Sequence, residues 1–236
     1  MFNVVDSAVP VTCWSCSVAH NDVTLFCPHC SKIQPAAVGD YFQVFGLERR
    51  FQIDLDALER EFHRLSRKLH PDRFARASEN ERQWSLADTA LLNDAYRTLK
   101  DPLHRTEYLL KLEGAEIGEE FAGANGKDRK GQSDPSRVPA DLLEEVFDLN
   151  MQLEEMRMAR KMGEEDPALQ AGLAQANQKF EGLLQAVDQD LRREWQAWDG
   201  GDASARQGAQ SRMVALIDRR RYLSNLVRDV TETLGA

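Results

Sequence analysis

The feature that most constrains this chain is the run Leu-Ser-Arg-Lys-Leu-His-Pro-Asp-Arg at residues 65–73, where a basic amphipathic segment ends abruptly at a proline. Pro71 lacks an amide donor and its ring clashes with a helical predecessor, so a helix running through Leu69 has to stop at His70. His70 and Asp72 are then presented side by side at a tight, exposed corner. Taken alone, His-Pro-Asp is an ordinary helix-ending turn, and its flanks decide what it is. Upstream, Asp54 is placed to cap a helix whose Leu58, Phe62, Leu65 and Leu69 recur at steps of four, three and four and share one apolar face. Arg60, Arg64, Arg67 and Lys68 lie on the other side. Downstream, Ser78 and Glu81 have capping-box spacing, and Trp84, Ala87, Leu91, Leu92, Ala95, Tyr96 and Leu99 predict a second, wide apolar face. Two antiparallel helices joined by the His-Pro-Asp loop are expected.

The loop is preceded by Asp40-Tyr41-Phe42-Gln43-Val44-Phe45-Gly46-Leu47 and followed by Leu92-Asn93-Asp94-Ala95-Tyr96-Arg97-Thr98-Leu99-Lys100-Asp101-Pro102. In that setting the segment resembles a J-domain, expected over residues 39–115. A short first helix is predicted over 41–46. Asp101-Pro102 opens a further helix, since proline suits the first helical position, with Leu103, Leu109, Leu110 and Leu112 on its buried side and Gly114 as its terminator.

All four cysteines of the protein lie in two Cys-x-x-Cys pairs, Cys13/Cys16 and Cys27/Cys30, with ten residues between the pairs. Each pair makes a turn that aims two thiolates at one point, and two such knuckles complete the tetrahedral site that Zn(II) prefers, with iron in a rubredoxin-like site as the alternative. Two disulfides would compete, but a cytoplasmic setting disfavours them. His20 and His29 could substitute as ligands, but four thiolates already fill the shell, and the two histidines are expected to be bystanders. A module spanning residues 1–38 has too little apolar surface to fold alone, whereas metal binding to such peptides contributes an apparent ~10–16 kcal/mol, so the metal is expected to be structural. Its removal is expected to unfold only the first forty residues or so.

Residues 116–138 lose the apolar pattern in a Gly-, Asp-, Lys- and Ser-rich run and read as a flexible linker without a function of its own. Residues 139–236 are helical throughout. Leu142, Val146, Leu149, Leu153 and Met156 form one stripe, and Gly163 with Asp166-Pro167 marks a stop and restart. Leu169, Leu173, Ala176, Phe180, Leu183, Val187, Leu191, Trp195 and Trp198 form the second. Asp199-Gly200-Gly201-Asp202 breaks that helix, and Met213, Leu216, Leu223, Val227, Val230 and Leu234 form a third stripe. Three helices with short connections predict an antiparallel bundle, so the fold class is mainly α: a small N-terminal tetracysteine zinc knuckle, a helical J-domain hairpin and a C-terminal three-helix bundle. Leu143, Phe147 and Met151 make a second line on the first bundle helix, about 100 degrees from its core stripe, and Tyr222 is off the third stripe. These residues either pack against the J-domain or form an exposed apolar patch for a partner.

The net charge of −9 argues against a general nucleic-acid binder, and Cys13 to Gln34 contains one Lys and no Arg, which offers little to phosphate. No apolar run approaches the roughly 18–20 residues of a membrane span, and the first twelve residues fit neither a secretory signal nor a transit peptide, so a cytoplasmic location is expected. No nucleophile, acid and base recur at a recognisable spacing, and an enzyme is not expected.

With these residues placed, the chain resembles the HscB-type iron-sulfur cluster co-chaperones, J-proteins with a C-terminal three-helix bundle. The resemblance rests on Asp40-Tyr41-Phe42, His70-Pro71-Asp72, Leu92-Asn93-Asp94-Ala95-Tyr96 through Asp101-Pro102, Glu107-Tyr108-Leu109-Leu110, and Arg221-Tyr222-Leu223-Ser224-Asn225-Leu226. The four cysteines look like the tetracysteine extension of some members. The resemblance implies that His70, Pro71 and Asp72, with the basic face of Arg60, Arg64, Arg67 and Lys68, engage and stimulate a DnaK/HscA-type heat-shock ATPase. It also implies that Leu143, Phe147 and Tyr222 bind an IscU-type iron-sulfur scaffold protein; a J-domain co-chaperone for a different client is the alternative. Glu144 stands where the family commonly has an apolar residue, and the linker is longer than usual.

Overall fold

A computed structural model of the chain describes residues 11–20, 24–35, 39–117, 140–164 and 166–235. The chain divides into two compact units, Met1–Leu112 and Glu113–Ala236. The architecture is mainly α, as the periodicities predict. From residue 118 onward the expected linker lies outside the described residues, as do the first ten residues and the side chain of His20.

The tetracysteine segment belongs to the first unit, and each of its pairs sits at the tip of a small ribbon that the spacing of cysteines did not foretell. Strands β1 (Val11–Thr12) and β2 (Ala19–His20) are antiparallel, with Thr12 opposite Ala19, and Phe26 bridges Ile33 in the second ribbon. The two knuckles repeat one another. Cys13 N donates to Val18 O at 3.0 Å and Cys27 N to Lys32 O at 2.8 Å, while Ser17 N and Ser31 N donate back to Cys13 O and Cys27 O at 2.9 Å each. Ser17 and Ser31, each directly after its second cysteine, both take the left-handed conformation, φ 56° and 59°, that such a tight reversal demands.

The J-type part follows. Asp40 is almost wholly buried, and its carboxylate does two jobs: Oδ1 accepts Gln43 N at 3.0 Å to cap helix α1 (Tyr41–Val44), and Oδ2 accepts Arg49 Nε at 2.9 Å. Helix α2 (Leu55–Leu69) is capped by Asp54 and ends at His70, whose ψ of 127° is the extended conformation a following proline imposes. Helix α3 (Glu79–Lys100) returns alongside it, and helix α4 (Pro102–Leu112) begins where Asp101 accepts Leu103 N and His104 N at 2.8 Å. Phe42, Phe51, Leu58, Leu69, Leu92, Leu99, Leu109 and Leu110 form the core, each worth ~1.5–3 kcal/mol relative to exposure. Arg105, 5% exposed, reaches through that core from α4 to donate to Phe51 O at 2.7 Å and to Leu99 O. Its guanidinium thereby ties the loop before α2 and the end of α3 to α4.

The expected face of α3 needs correction over its first half. Ala87 is exposed, and the buried line runs Glu81, Ser85, Asp88, Leu92, Ala95, Leu99. Counting apolar residues displaced the face because the residues opposing the end of α2 are polar ones. On α4, Leu109 and Leu110 are buried while Leu103 and Leu112 are half-buried, and Gly114 supplies the left-handed stop at φ 78°.

In the second unit, helices α5 (Leu143–Met162), α6 (Pro167–Gly200) and α7 (Ala203–Gly235) form a three-helix bundle. Gly163, at φ 74°, ends α5, and Asp166 caps α6 through Leu169 N at 3.0 Å. Between α6 and α7 a side chain at Gly201 would collide with the Ala197 carbonyl and lie 2.8 Å from Ala205 Cβ, so only glycine allows the reversal. Ion pairs Glu194–Arg212 and Asp188–Arg220 run in opposite order along α6 and α7, as antiparallel helices require. The stripes of α5 and α6 face the core, with Leu169, Ala176 and Leu183 at its margin. On α7 the core runs through Ile217 and Leu226, while Leu216 and Val227 are half-buried. The helical period of 3.6 carries those two across the edge of the buried face.

Candidate functional site

The corner at residues 70–74 is a single 3-10 turn, Pro71–Phe74, between α2 and α3. His70 Nδ1 accepts the Asp72 amide at 3.3 Å and lies 3.5 Å from Asp72 Oδ2. The His70 side chain is 57% exposed and that of Asp72 91%, so both can meet a partner without rearrangement of the core. The carbonyl of Leu69, last residue of α2, accepts the Ser85 hydroxyl at 2.6 Å, and the buried Ser85 thus ties the loop's first anchor to α3. At the other end, Ser78 and Glu81 form the predicted capping box.

Arg60, Arg64, Arg67 and Lys68 are all exposed on α2, but they are not equivalent. Arg64 is engaged by Glu61, whose carboxyl is held below its ordinary range first by that hydrogen bond. Lys68 lies over the Phe26 ring at 5.7 Å, whereas Arg60 and Arg67 make no ion pair among the described residues.

The four cysteine sulphurs lie within 4.8 Å of one another, with Cys13 Sγ and Cys30 Sγ 3.6 Å apart and Cys16 Sγ and Cys27 Sγ 3.8 Å apart. A tetrahedron with metal–sulphur bonds of about 2.3 Å has edges of about 3.8 Å, so the four thiols fit a metal ion, and no pair is at disulfide distance. Ser15 N and Gln34 Nε2 both donate to Cys13 Sγ at 3.4 Å. Burial pushes the Cys13 thiol up, but the amides of Cys16 and Ser15 outweigh it and bring it down to about 6. For Cys16 the Val18 amide pulls down, yet burial and the three neighbouring thiols raise it. A bound cation favours the thiolate form of the cysteines that coordinate it.

The module rests on the J-type helices. Trp14 and Trp84 meet in a tilted pair with centroids 5.6 Å apart, and Lys32 Nζ reaches Glu81 Oε1 at 3.0 Å. Sequence reading missed these contacts, because nothing local in the chain relates position 14 to 84 or 32 to 81. The buried Asp88 was missed too: neither of its carboxylate oxygens has a hydrogen-bond partner, and burial pushes it up to about 7.

On α5, Leu143, Phe147 and Met151 are 53%, 65% and 50% exposed, while Val146 and Leu149 beside them are buried. An open groove lined by Phe147, Asn150, Met151, Glu154, Glu155 and Met158 continues that line along the helix. Glu144 is exposed on the same turn. Arg219 pairs with Asp141 at 2.7 Å, which brings α7 beside the start of α5, and Tyr222 lies one turn beyond Arg219. Tyr222 differs from the other two: it is half-buried, and its hydroxyl is enclosed without a hydrogen-bond partner.

A helical hairpin with an exposed His-Pro-Asp corner defines the class, and the DnaJ domain model matches residues 40–108 of the chain: this is a J-domain protein. The tetracysteine ribbons before it and the bundle after it narrow the class, and within it the chain is similar to the HscB type. It is 34% identical over 163 residues to the iron-sulfur cluster co-chaperone protein HscB of Mus musculus, covering 67% of this chain and 64% of that one. It is 48% identical over 81 residues to the co-chaperone protein HscB homolog of Vibrio cholerae, covering 34% of this chain and 47% of that one. The match thus spans about two thirds and about half of those relatives' lengths. The crystal structure of human co-chaperone protein HscB is similar at a TM-score of 0.61 and 28% identity, covering 94% of this chain and 98% of that one. Among the described residues no helix is long and apolar enough to cross a membrane.

Proposed function

We propose that this chain carries an IscU-type iron-sulfur scaffold protein to a DnaK/HscA-type heat-shock ATPase and stimulates that partner's ATP hydrolysis during iron-sulfur cluster assembly and transfer. The observation that carries the reading is the exposed His70-Pro71-Asp72 corner at the end of a cationic helix, in a chain whose relatives are named as iron-sulfur cluster co-chaperones. The chain supplies no reacting group. Arg60 and Arg67, with Lys68 and Arg64, give α2 a positive face that steers it toward an acidic ATPase surface. His70 and Asp72 then project from a corner whose ends are fixed by Ser85 and by the capping box, so little order has to be gained on docking. The exposed Leu143–Phe147 line, with the ring of Tyr222, is the proposed scaffold-binding surface. Zn(II) on Cys13, Cys16, Cys27 and Cys30 supplies cross-linking and no reaction chemistry. Single-turnover ATP hydrolysis by a DnaK-type ATPase, with and without the chain and scaffold, tests the proposal. Acceleration by the wild-type protein is expected, and its absence overturns the reading.

A further inference from the structure

Resting on the reading of His70-Pro71-Asp72 as the ATPase contact, we propose that the metal-loaded tetracysteine module is a clamp on this loop and that Lys32 is its positioning residue. The module touches both ends of the loop. Where the chain enters it, the ammonium of Lys68, two residues before His70, lies over Phe26. Where the chain leaves it, Glu81 divides its carboxylate. Oε2 accepts the Ser78 amide at 3.1 Å and the Ser78 hydroxyl at 2.8 Å, closing the α3 cap, and Oε1 accepts Lys32 Nζ at 3.0 Å. Trp14 packs on Trp84 one turn further along α3, and its indole N–H donates to Ile33 O at 2.7 Å, joining the first knuckle to the segment after the second.

Lys32 is therefore held twice. Its carbonyl accepts the amide of the ligand residue Cys27 at 2.8 Å, and its ammonium holds the α3 cap. The Glu81 carboxylate is buried while the Lys32 side chain is half exposed, so the pair forms at the edge of the module and depends on where the module holds Lys32. Within the loop the backbone bonds are local: Arg73 N to His70 O at 2.9 Å, Ala75 N to Asp72 O at 3.4 Å and Ala77 N to Phe74 O at 2.9 Å. The conformation presented to a partner rests on the loop's anchors. Without metal the ribbons have too little apolar surface to hold Lys32 in place, and the α3 cap loses one of its partners. Metal loss then reaches beyond residue 38, further than a module folding by itself would allow, although no residue of the module has to touch the ATPase. Coupling of this kind is reciprocal, so the α3 cap also sets metal affinity.

Amide hydrogen exchange on the full-length protein tests the clamp without any ATPase present. Metal removal by a chelator should speed exchange over residues 72–82 at least about fivefold, with α7 amides unchanged as the internal reference. Lys32→Met should do the same with Zn(II) still bound, and Lys32→Arg should restore protection. Glu81→Gln keeps a capping-box acceptor but loses the charge facing Lys32, and should weaken Zn(II) binding about fivefold in a dye competition, although no cysteine has changed. Unchanged exchange over 72–82 after chelation overturns the proposal. Wild-type exchange in Lys32→Met, or wild-type Zn(II) affinity in Glu81→Gln, overturns it as well. Failure of the ATPase reading would appear separately, as hydrolysis that is not stimulated by a protein with a fully protected loop.

Discussion

The hydroxyl of Ser85 donates to the carbonyl of Leu69 at 2.6 Å, across sixteen residues and inside a fully buried seam. Leu69 ends α2, so its carbonyl has no helical partner, and Ser85 supplies one at the point where the His-Pro-Asp turn departs. Ser85→Ala leaves that buried acceptor only the long bond from the Thr89 hydroxyl, at 3.4 Å. The expected cost is about 1–3 kcal/mol, read in denaturant unfolding of the full chain. A change below about 0.5 kcal/mol would show that Thr89 or water takes over the Leu69 carbonyl.

His70→Gln is expected to abolish stimulation of the ATPase partner while helical content and scaffold binding stay at wild-type levels. The ring is exposed and its bonds to Asp72 are long, so folding does not depend on it. Single-turnover hydrolysis and circular dichroism measure the two halves. Stimulation that survives in the variant removes His70 from the contact.

Elemental analysis of protein purified without added metal should find one Zn(II) per chain, held by Cys13, Cys16, Cys27 and Cys30. Less than about half an equivalent of zinc or iron, together with intact disulfides, would contradict the site.

Asp88 makes stability depend on pH with a sign opposite to that of a paired carboxylate. Its pKa rises on folding from 3.8 to about 7, so the native state binds the extra proton. The resulting stabilisation is complete below about 3.8 and is lost as pH rises through about 7, amounting to at most ~4 kcal/mol at about 1.4 kcal/mol per unit. Asp88→Asn should raise the melting temperature relative to wild type more at pH 8 than at pH 5. Equal shifts at both values would mean that the carboxyl is ionised and solvated in the native protein.

On the bundle, Leu143→Ala with Phe147→Ala should weaken binding to an IscU-type scaffold at least tenfold, with the melting temperature nearly unchanged because both side chains are more than half exposed. Tyr222→Ala should lower both affinity and stability, since its ring is half-buried, and Tyr222→Phe should lower neither by much. Calorimetric titration paired with thermal melting separates these outcomes. Unchanged affinity in the double variant would move the scaffold contact elsewhere.

What the sequence determined by itself is local. The stop at His70 follows from proline stereochemistry, the Ser78–Glu81 cap from a spacing of three, and the bundle stripes from the helical period. The four-cysteine constellation follows from two short turns that each aim two thiols. All of these depend on residues a few positions apart, where backbone geometry leaves few choices. The tertiary structure decided the rest. Buried Ser85 interrupts the apolar count on α3 because the last carbonyl of α2, buried against it, needs a polar partner, a need that the α3 sequence does not display; Asp88 is buried as well, without a hydrogen-bond partner. Exposure of Leu143 and Phe147 could be settled only by seeing which face the other two helices occupy. The pairings Trp14–Trp84 and Lys32–Glu81 join residues 70 and 49 positions apart, and contacts at such separations are fixed by packing of the whole unit, not by any local conformational preference.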